Sequence, residues 1–186
     1  IYIEGDGLAW LSRSRPSDDP TPNYALGLEL ALRHPDSAVA YLARPCQNTG
    51  WADWGTCQEA YWTRRRFSSE MVEASAQAIS SLKIRAGAEK LILVGYSGGG
   101  AIAALVAAQR RDVEHLVTVA GNLDTAAWTA LHRVEPLSGS LNPADYWQHL
   151  QETPQLHWVG GNDPVIPPAI SEAYRSRFPV AVRPEV

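Results

Sequence analysis

Leu91-Ile92-Leu93-Val94-Gly95-Tyr96-Ser97-Gly98-Gly99-Gly100-Ala101-Ile102-Ala103-Ala104 is the stretch of this chain that decides its fold. It opens as a short apolar strand, turns through glycines around one serine and continues as an alanine-rich helix. Gly95, Ser97 and Gly99 fit G-x-S-x-G, a turn in which the serine takes a strained backbone conformation at the top of its strand. Side chains at the flanking positions would collide with the neighbouring strand or helix. The helix start offers free N–H groups and a positive dipole end beside the hydroxyl. Ser97 is the candidate nucleophile, and the N–H of Gly98 a candidate donor to an oxyanion.

Two other glycine-rich readings fail on their own requirements. A P-loop needs G-x-x-x-x-G-K-[ST], and no lysine follows these glycines. A dinucleotide fingerprint could be laid on Gly98, Gly100 and Ala103, but it needs an acid at the end of the next strand, and residues 116–121 run on to Asn122.

The chain has 186 residues and is 45% hydrophobic, enough for one domain with a substantial core. Net charge is −4, and Arg64-Arg65-Arg66 is the only cationic cluster. It reads as a solvated helix face, so no nucleic-acid partner is expected. No apolar run approaches the ~20 residues of a membrane span, and no motif calls for a cofactor or metal. The chain starts at Ile1 inside an apparent strand and its only methionine is Met71, so both ends are expected to be trimmed. Cys46 and Cys57 are the only cysteines and match no zinc spacing. They bracket a loop bearing Gly, Asn and Trp and are expected to form a disulfide, hence an exported, periplasmic or secreted protein.

Strand-length apolar runs alternate with helical patterns. Strands are predicted at residues 1–4, 38–42, 91–94, 116–120 and 155–159, with 180–182 opening a last one. Helices are predicted at 24–33, 59–64, 68–85, from Gly98 to Arg111, and at 168–177, with short ones at 125–131 and 143–150. Such alternation implies a mostly parallel sheet with helices on both faces. Ligands in such sheets bind at the carboxyl ends of the strands.

The order strand, G-x-S-x-G, helix, strand, cap-like stretch, strand, then Gly160-Gly161-Asn162-Asp163-Pro164-Val165-Ile166-Pro167, resembles the α/β-hydrolase superfamily. Ile3-Glu4-Gly5-Asp6-Gly7 is similar to the strand end that carries the oxyanion loop there. The resemblance implies a single α/β domain over 1–186, with a possible cap at 122–152. Ser97 would be the nucleophile and Asp163 the acid that orients a histidine, with Asp124 in reserve. The backbone N–H groups of Gly98 and Asp6 would form the oxyanion hole, provided that the acidic side chain of Asp6 points away. The five histidines are His34, His115, His132, His149 and His157, and none follows Asp163. His34 reads as a surface residue, His115 as preceding its strand and His157 as packed within one. His132 and His149 fall in the cap-like stretch. The resemblance therefore places the base beyond Val186.

The function that follows is serine hydrolysis of a small-molecule carboxylic ester, or a related acyl bond, through an acyl-enzyme. A peptidase of the same fold, and a non-catalytic binding or scaffold domain on it, are the alternatives.

Overall fold

The computed structural model describes residues 1–36, 38–49 and 56–186. Ser37 and residues 50–55, part of the loop between the two cysteines, lie outside them. Five strands form one sheet: β1 (Tyr2–Ile3), β2 (Tyr41–Leu42), β3 (Leu91–Tyr96), β4 (Val113–Val119) and β5 (Gln155–Trp158), in the order β2-β1-β3-β4-β5. Every pairing is parallel. The helices are α1 (Leu26–Leu32), α2 (Ser69–Ala86), α3 (Gly98–Ala107), α4 (Thr125–His132) and α5 (Pro168–Arg175), with a 3-10 helix at Pro143–Leu150.

All ten residues of α3 are buried. Its apolar side chains join Ile3, Leu93, Leu116, Leu123, Leu150, Tyr174 and Phe178 in one core on one face of the sheet. Each such Leu or Ile contributes about 1.5–3 kcal/mol by leaving water. Side chains alternate along a strand, so Glu4, next to Ile3, faces the other way, toward the start of α1. That second face is less covered: Ile92 and Trp158 stay 48% and 61% exposed. The register aligns Ile3 with Gly95 and Tyr96 with Val119, which brings the carboxyl ends of the inner strands together.

Several elements depart from the sequence reading. β4 starts at Val113, so His115 lies inside it rather than before it. The polar pair Glu114 and His115 hid the strand because both side chains face solvent. α3 stops at Ala107, short of Arg111, and Arg110 instead pairs with Asp112, as does Lys83. Residues 180–182 form a helical turn, not a strand, closed by the Val182 N–H donating to the Pro179 carbonyl. The chain meets the sheet later, where the His157 N–H donates to the Glu185 carbonyl and the Glu185 N–H to that of Gln155. Residues 62–67 are turns, not a helix, and Arg66 is buried. The cationic run is thus no solvated helix face: only Arg64 is fully exposed, and Arg65 pairs with Glu70.

His157 is packed, as read. It is 1% exposed, with Nδ1 2.9 Å from Thr118 Oγ1 and its ring edge-on to Tyr174. Among the described residues Nε2 has no partner. Burial pulls its pKa from 6.5 down to about 3. The unfolded chain therefore takes up this proton near 6.5 and the folded chain only near 3. Between those values the unfolded state binds more protons, so stability falls as pH falls, by up to about 1.4 kcal/mol per pH unit. Urea titrations of the wild type between about pH 6 and pH 4 should show this slope, and His157→Gln should flatten it. Parallel slopes for the two proteins would count against the assignment.

Candidate active site

Ser97 is the single residue between β3 and α3, and its backbone sits at φ 51° and ψ −120°. Such a conformation is sparsely populated for a side-chain-bearing residue and costs on the order of 1–3 kcal/mol. Three hydrogen bonds hold it. The Ser97 N–H donates to the Val119 carbonyl at 2.9 Å, and the Ser97 carbonyl accepts from the N–H groups of Gly100 (2.9 Å) and Asn122 (3.1 Å). The flanking glycines are steric necessities: a Cβ on Gly95 would lie 2.4 Å from the Gly99 carbonyl oxygen, and one on Gly99 would lie 2.4 Å from those of Ile3 and Glu4.

Ser97 lines an open cavity of about 1130 Å³. Asp6, Arg66, Tyr96, Asn122 and Trp128 line it too, as do Trp10, Tyr24, residues 134–137, Val165 and Ile166. The Gly5 turn passes close to the serine, since a Cβ on Gly5 would be 3.2 Å from Ser97 Cβ. The Asp6 carboxylate does not point away from Gly98, as the sequence reading required: a Cβ on Gly98 would be 2.1 Å from Asp6 Oδ1. Arg44 and Arg66 answer its charge, at 3.0 Å to Oδ1 and 2.7 Å to Oδ2. Burial pushes the Asp6 pKa up, but the two guanidinium charges outweigh it and hold the carboxyl below its ordinary range. Left bare about 4 Å from a developing oxyanion, that carboxylate would oppose it by about 4 kcal/mol at an effective dielectric of about 20.

Asp163 follows β5 at the same carboxyl end of the sheet as Ser97. Its Oδ1 accepts from the N–H groups of Val165 (2.8 Å) and Ile166 (3.0 Å), which fixes the turn, and its Oδ2 has no hydrogen-bond partner among the described residues. Burial raises the pKa of the Tyr96 phenol, and the charges of Asp163 and Glu4 raise it further, so the Asp163 carboxylate is felt at the residue before Ser97. Asp124 is occupied elsewhere. It caps α4 through the Ala127 N–H, accepts from Asn142 and faces Arg177. Among the described residues no histidine hydrogen-bonds Ser97 Oγ. His132 Nε2 meets the Val165 carbonyl at 2.8 Å, His149 is exposed beside Tyr146, and His34 bonds to Tyr2.

Cys46 and Cys57 are joined in a disulfide. Beside it, Gln47 accepts the Arg44 N–H and donates Nε2 to the Gly5 carbonyl at 2.9 Å, tying the cysteine loop to the turn at Ser97. Arg44, Arg66 and Gln47 were not singled out as site residues from the sequence, where nothing marks them as partners of residues 5 and 6.

No family model and no curated protein matches the chain. Solved structures do. A puromycin hydrolase is similar with a TM-score of 0.53 and 20% identity, over 70% of this chain and 22% of that one. An esterase of Pyrococcus furiosus gives 0.50 and 14%, over 74% and 55%. An α/β-hydrolase enzyme from the sediment metagenome of the Mar Chica lagoon, Morocco, gives 0.44 and 26%, over 58% and 55%. The chain thus spans about half the length of the latter two, 55% of each.

One steric consequence can be measured. The Asp6 carboxylate, gripped by two arginines, cannot step aside for a methyl group at Gly98. Gly98→Ala should lower stability to urea by about 1–3 kcal/mol. Gly161→Ala, where nothing lies within 4 Å, should change it by less than about 0.5 kcal/mol. Equal stabilities would show that Asp6 is loosely held.

A parallel sheet whose central strand passes into its most buried helix through one strained serine, in a chain similar in structure to the puromycin hydrolase and to the Pyrococcus furiosus esterase, is an α/β-hydrolase fold.

Proposed function

We propose that the protein is a serine hydrolase that cleaves carboxylic esters through an acyl-enzyme on Ser97. The observation that carries this is the Ser97 backbone, φ 51° and ψ −120°, a strain that packing alone does not require of a serine. Ser97 Oγ attacks the carbonyl carbon and its proton passes to an imidazole. The alkoxide leaves with that proton, and water then clears the acyl group by the same path. Asp163 is the acid that orients the imidazole, through the carboxylate oxygen its own turn leaves unused. The N–H groups of Gly98 and Asp6 receive the oxyanion. Trp128 and residues 134–137, from the proposed cap at 122–152, line the cavity and would contact the acyl or alcohol group. The rest of that stretch is partly core, with Leu123, Ala144 and Leu150 buried. The disulfide supports an oxidising, exported compartment. Among the described residues no helix is long and apolar enough to cross a membrane.

The test uses the protein expressed from its complete gene. A fluorophosphonate should label Ser97. Ser97→Ala should abolish labelling and lower ester turnover on the order of 10⁵–10⁶-fold. Asp163→Asn keeps an oxygen for the turn but loses the charge, and should lower turnover by about 10³–10⁴-fold with stability unchanged. Undiminished turnover by Ser97→Ala would sink the proposal. Faster cleavage of peptide amides than of matched esters would move the protein to the peptidases.

A further inference from the structure

The turn after β1 is held from three sides. The Glu4 carboxylate accepts the Gly5 N–H, Gln47 donates to the Gly5 carbonyl, and Arg44 and Arg66 grip the Asp6 carboxylate. The two arginines are themselves fixed. Their side chains are only 5% and 9% exposed. Arg44 Nη2 donates to the Arg66 carbonyl and Arg66 Nε to that of Thr63. Arg44 lies over the Phe67 ring and Arg66 over that of Trp128. Burying two guanidinium groups around one carboxylate is costly unless geometry and hydrogen bonds are good. The carboxylate they hold is the one lying against Gly98.

We propose that Arg44 and Arg66 are positioning residues for the chemistry at Ser97. They fix the backbone of Gly5-Asp6-Gly7 through the Asp6 side chain, and they neutralise a carboxylate that would otherwise repel an anionic tetrahedral adduct. The inference rests on Ser97 being the nucleophile. It separates two kinds of binding. A neutral ground-state ligand feels little of the Asp6 charge, whereas an adduct bearing a negative oxygen at the Gly98 N–H feels all of it. Without Arg66, Asp6 Oδ2 loses the one cation paired with it among the described residues, at a residue that lines the cavity.

An arylboronic acid makes this measurable. Its boron accepts a lone pair from Ser97 Oγ and becomes tetrahedral and anionic, while the serine hydroxyl proton passes to the same imidazole that takes it in ester cleavage. The corresponding neutral aryl amide reports ground-state binding. In protein expressed from its complete gene, Arg66→Met should weaken boronate binding about 10- to 100-fold while amide binding changes less than about twofold. Arg66→Lys, which keeps the charge but not the planar fork, should fall between. Asp6→Asn in the Arg66→Met background should recover part of the loss, because the under-compensated charge is gone while the anchoring of the turn is not restored. A purely structural role would not produce that recovery. Should Arg66→Met fail to fold, Arg66→Lys carries the test, weakening the boronate while amide binding changes less than about twofold. Boronate binding unchanged in the arginine variants, a loss shared equally with the amide, or no recovery on adding Asp6→Asn would overturn the proposal. If the wild type gives no tetrahedral boron signal, or Ser97→Ala keeps it, the nucleophile reading itself has failed and takes this inference with it.

Discussion

Helix α3 lies so close to the seam between β1 and β3 that a methyl group at Gly95 or Gly99 would enter backbone atoms of the neighbouring element. Most of the site follows from that approach. The helix begins at Gly98, directly after the residue that follows Tyr96, so one residue turns the chain, and Ser97 does so at φ 51°. The strain at Ser97, about 1–3 kcal/mol, is small against the burial of Ile102, Leu105 and Val106 on the same helix, each worth about 1.5–3 kcal/mol. The serine is held in place by packing well away from it. The same geometry leaves the first N–H groups of α3 without helical acceptors at the spot where the hydroxyl emerges.

Two carboxylates flank Gly5, and the fold treats them differently. Glu4 is 1% exposed and is met by neutral donors: the N–H groups of Gly5, Gly27 and Leu28 and the Tyr41 hydroxyl. Burial and then the Glu4 charge push the Tyr41 pKa up, so that phenol stays a donor across the ordinary pH range. Asp6 is met by cations. The difference follows position. Glu4 faces the start of α1 and is met by its backbone N–H groups, whereas Asp6 faces the cleft and is met by two guanidinium groups. Gly5 is thus pinned by its neighbours on both sides, so the Asp6 N–H that follows it, the donor proposed for the oxyanion, need not reorganise when that charge appears.

What was legible in the sequence is what local chemistry specifies. The change of period at Tyr96–Gly98 marked β3 and α3. Asp163 before Pro164 marked a turn, and the cysteine pair marked the disulfide. Pro143 and the following pattern gave the 143–150 helix with its bounds. The errors share another cause. His115 and Glu114 were read as preceding a strand because period-two patterning fails where a strand runs out beyond its covered region. Arg66 was read as solvated because its partner is sixty residues earlier, and no local rule pairs a guanidinium with a distant carboxylate. The question raised over the Asp6 side chain was sound, but its answer lay in Arg44 and Arg66, which only the tertiary structure brings near.

The disulfide shows how such distant partners are kept in place. Cys46 and Asn48 carry positive φ values, 70° and 55°, on either side of Gln47. Neither is glycine, so this loop conformation is unfavourable on its own. It is also the conformation that lets Gln47 reach both the Arg44 N–H and the Gly5 carbonyl. Closing a loop of this size reduces the freedom of the unfolded chain by an amount equivalent to about 3 kcal/mol in the loop-entropy account. The covalent link thus lies next to the residue that holds the oxyanion-side turn and two residues from one of the two cations on Asp6. Next to that link, Gln47 is held where its side chain supports the Gly5 turn beside Ser97.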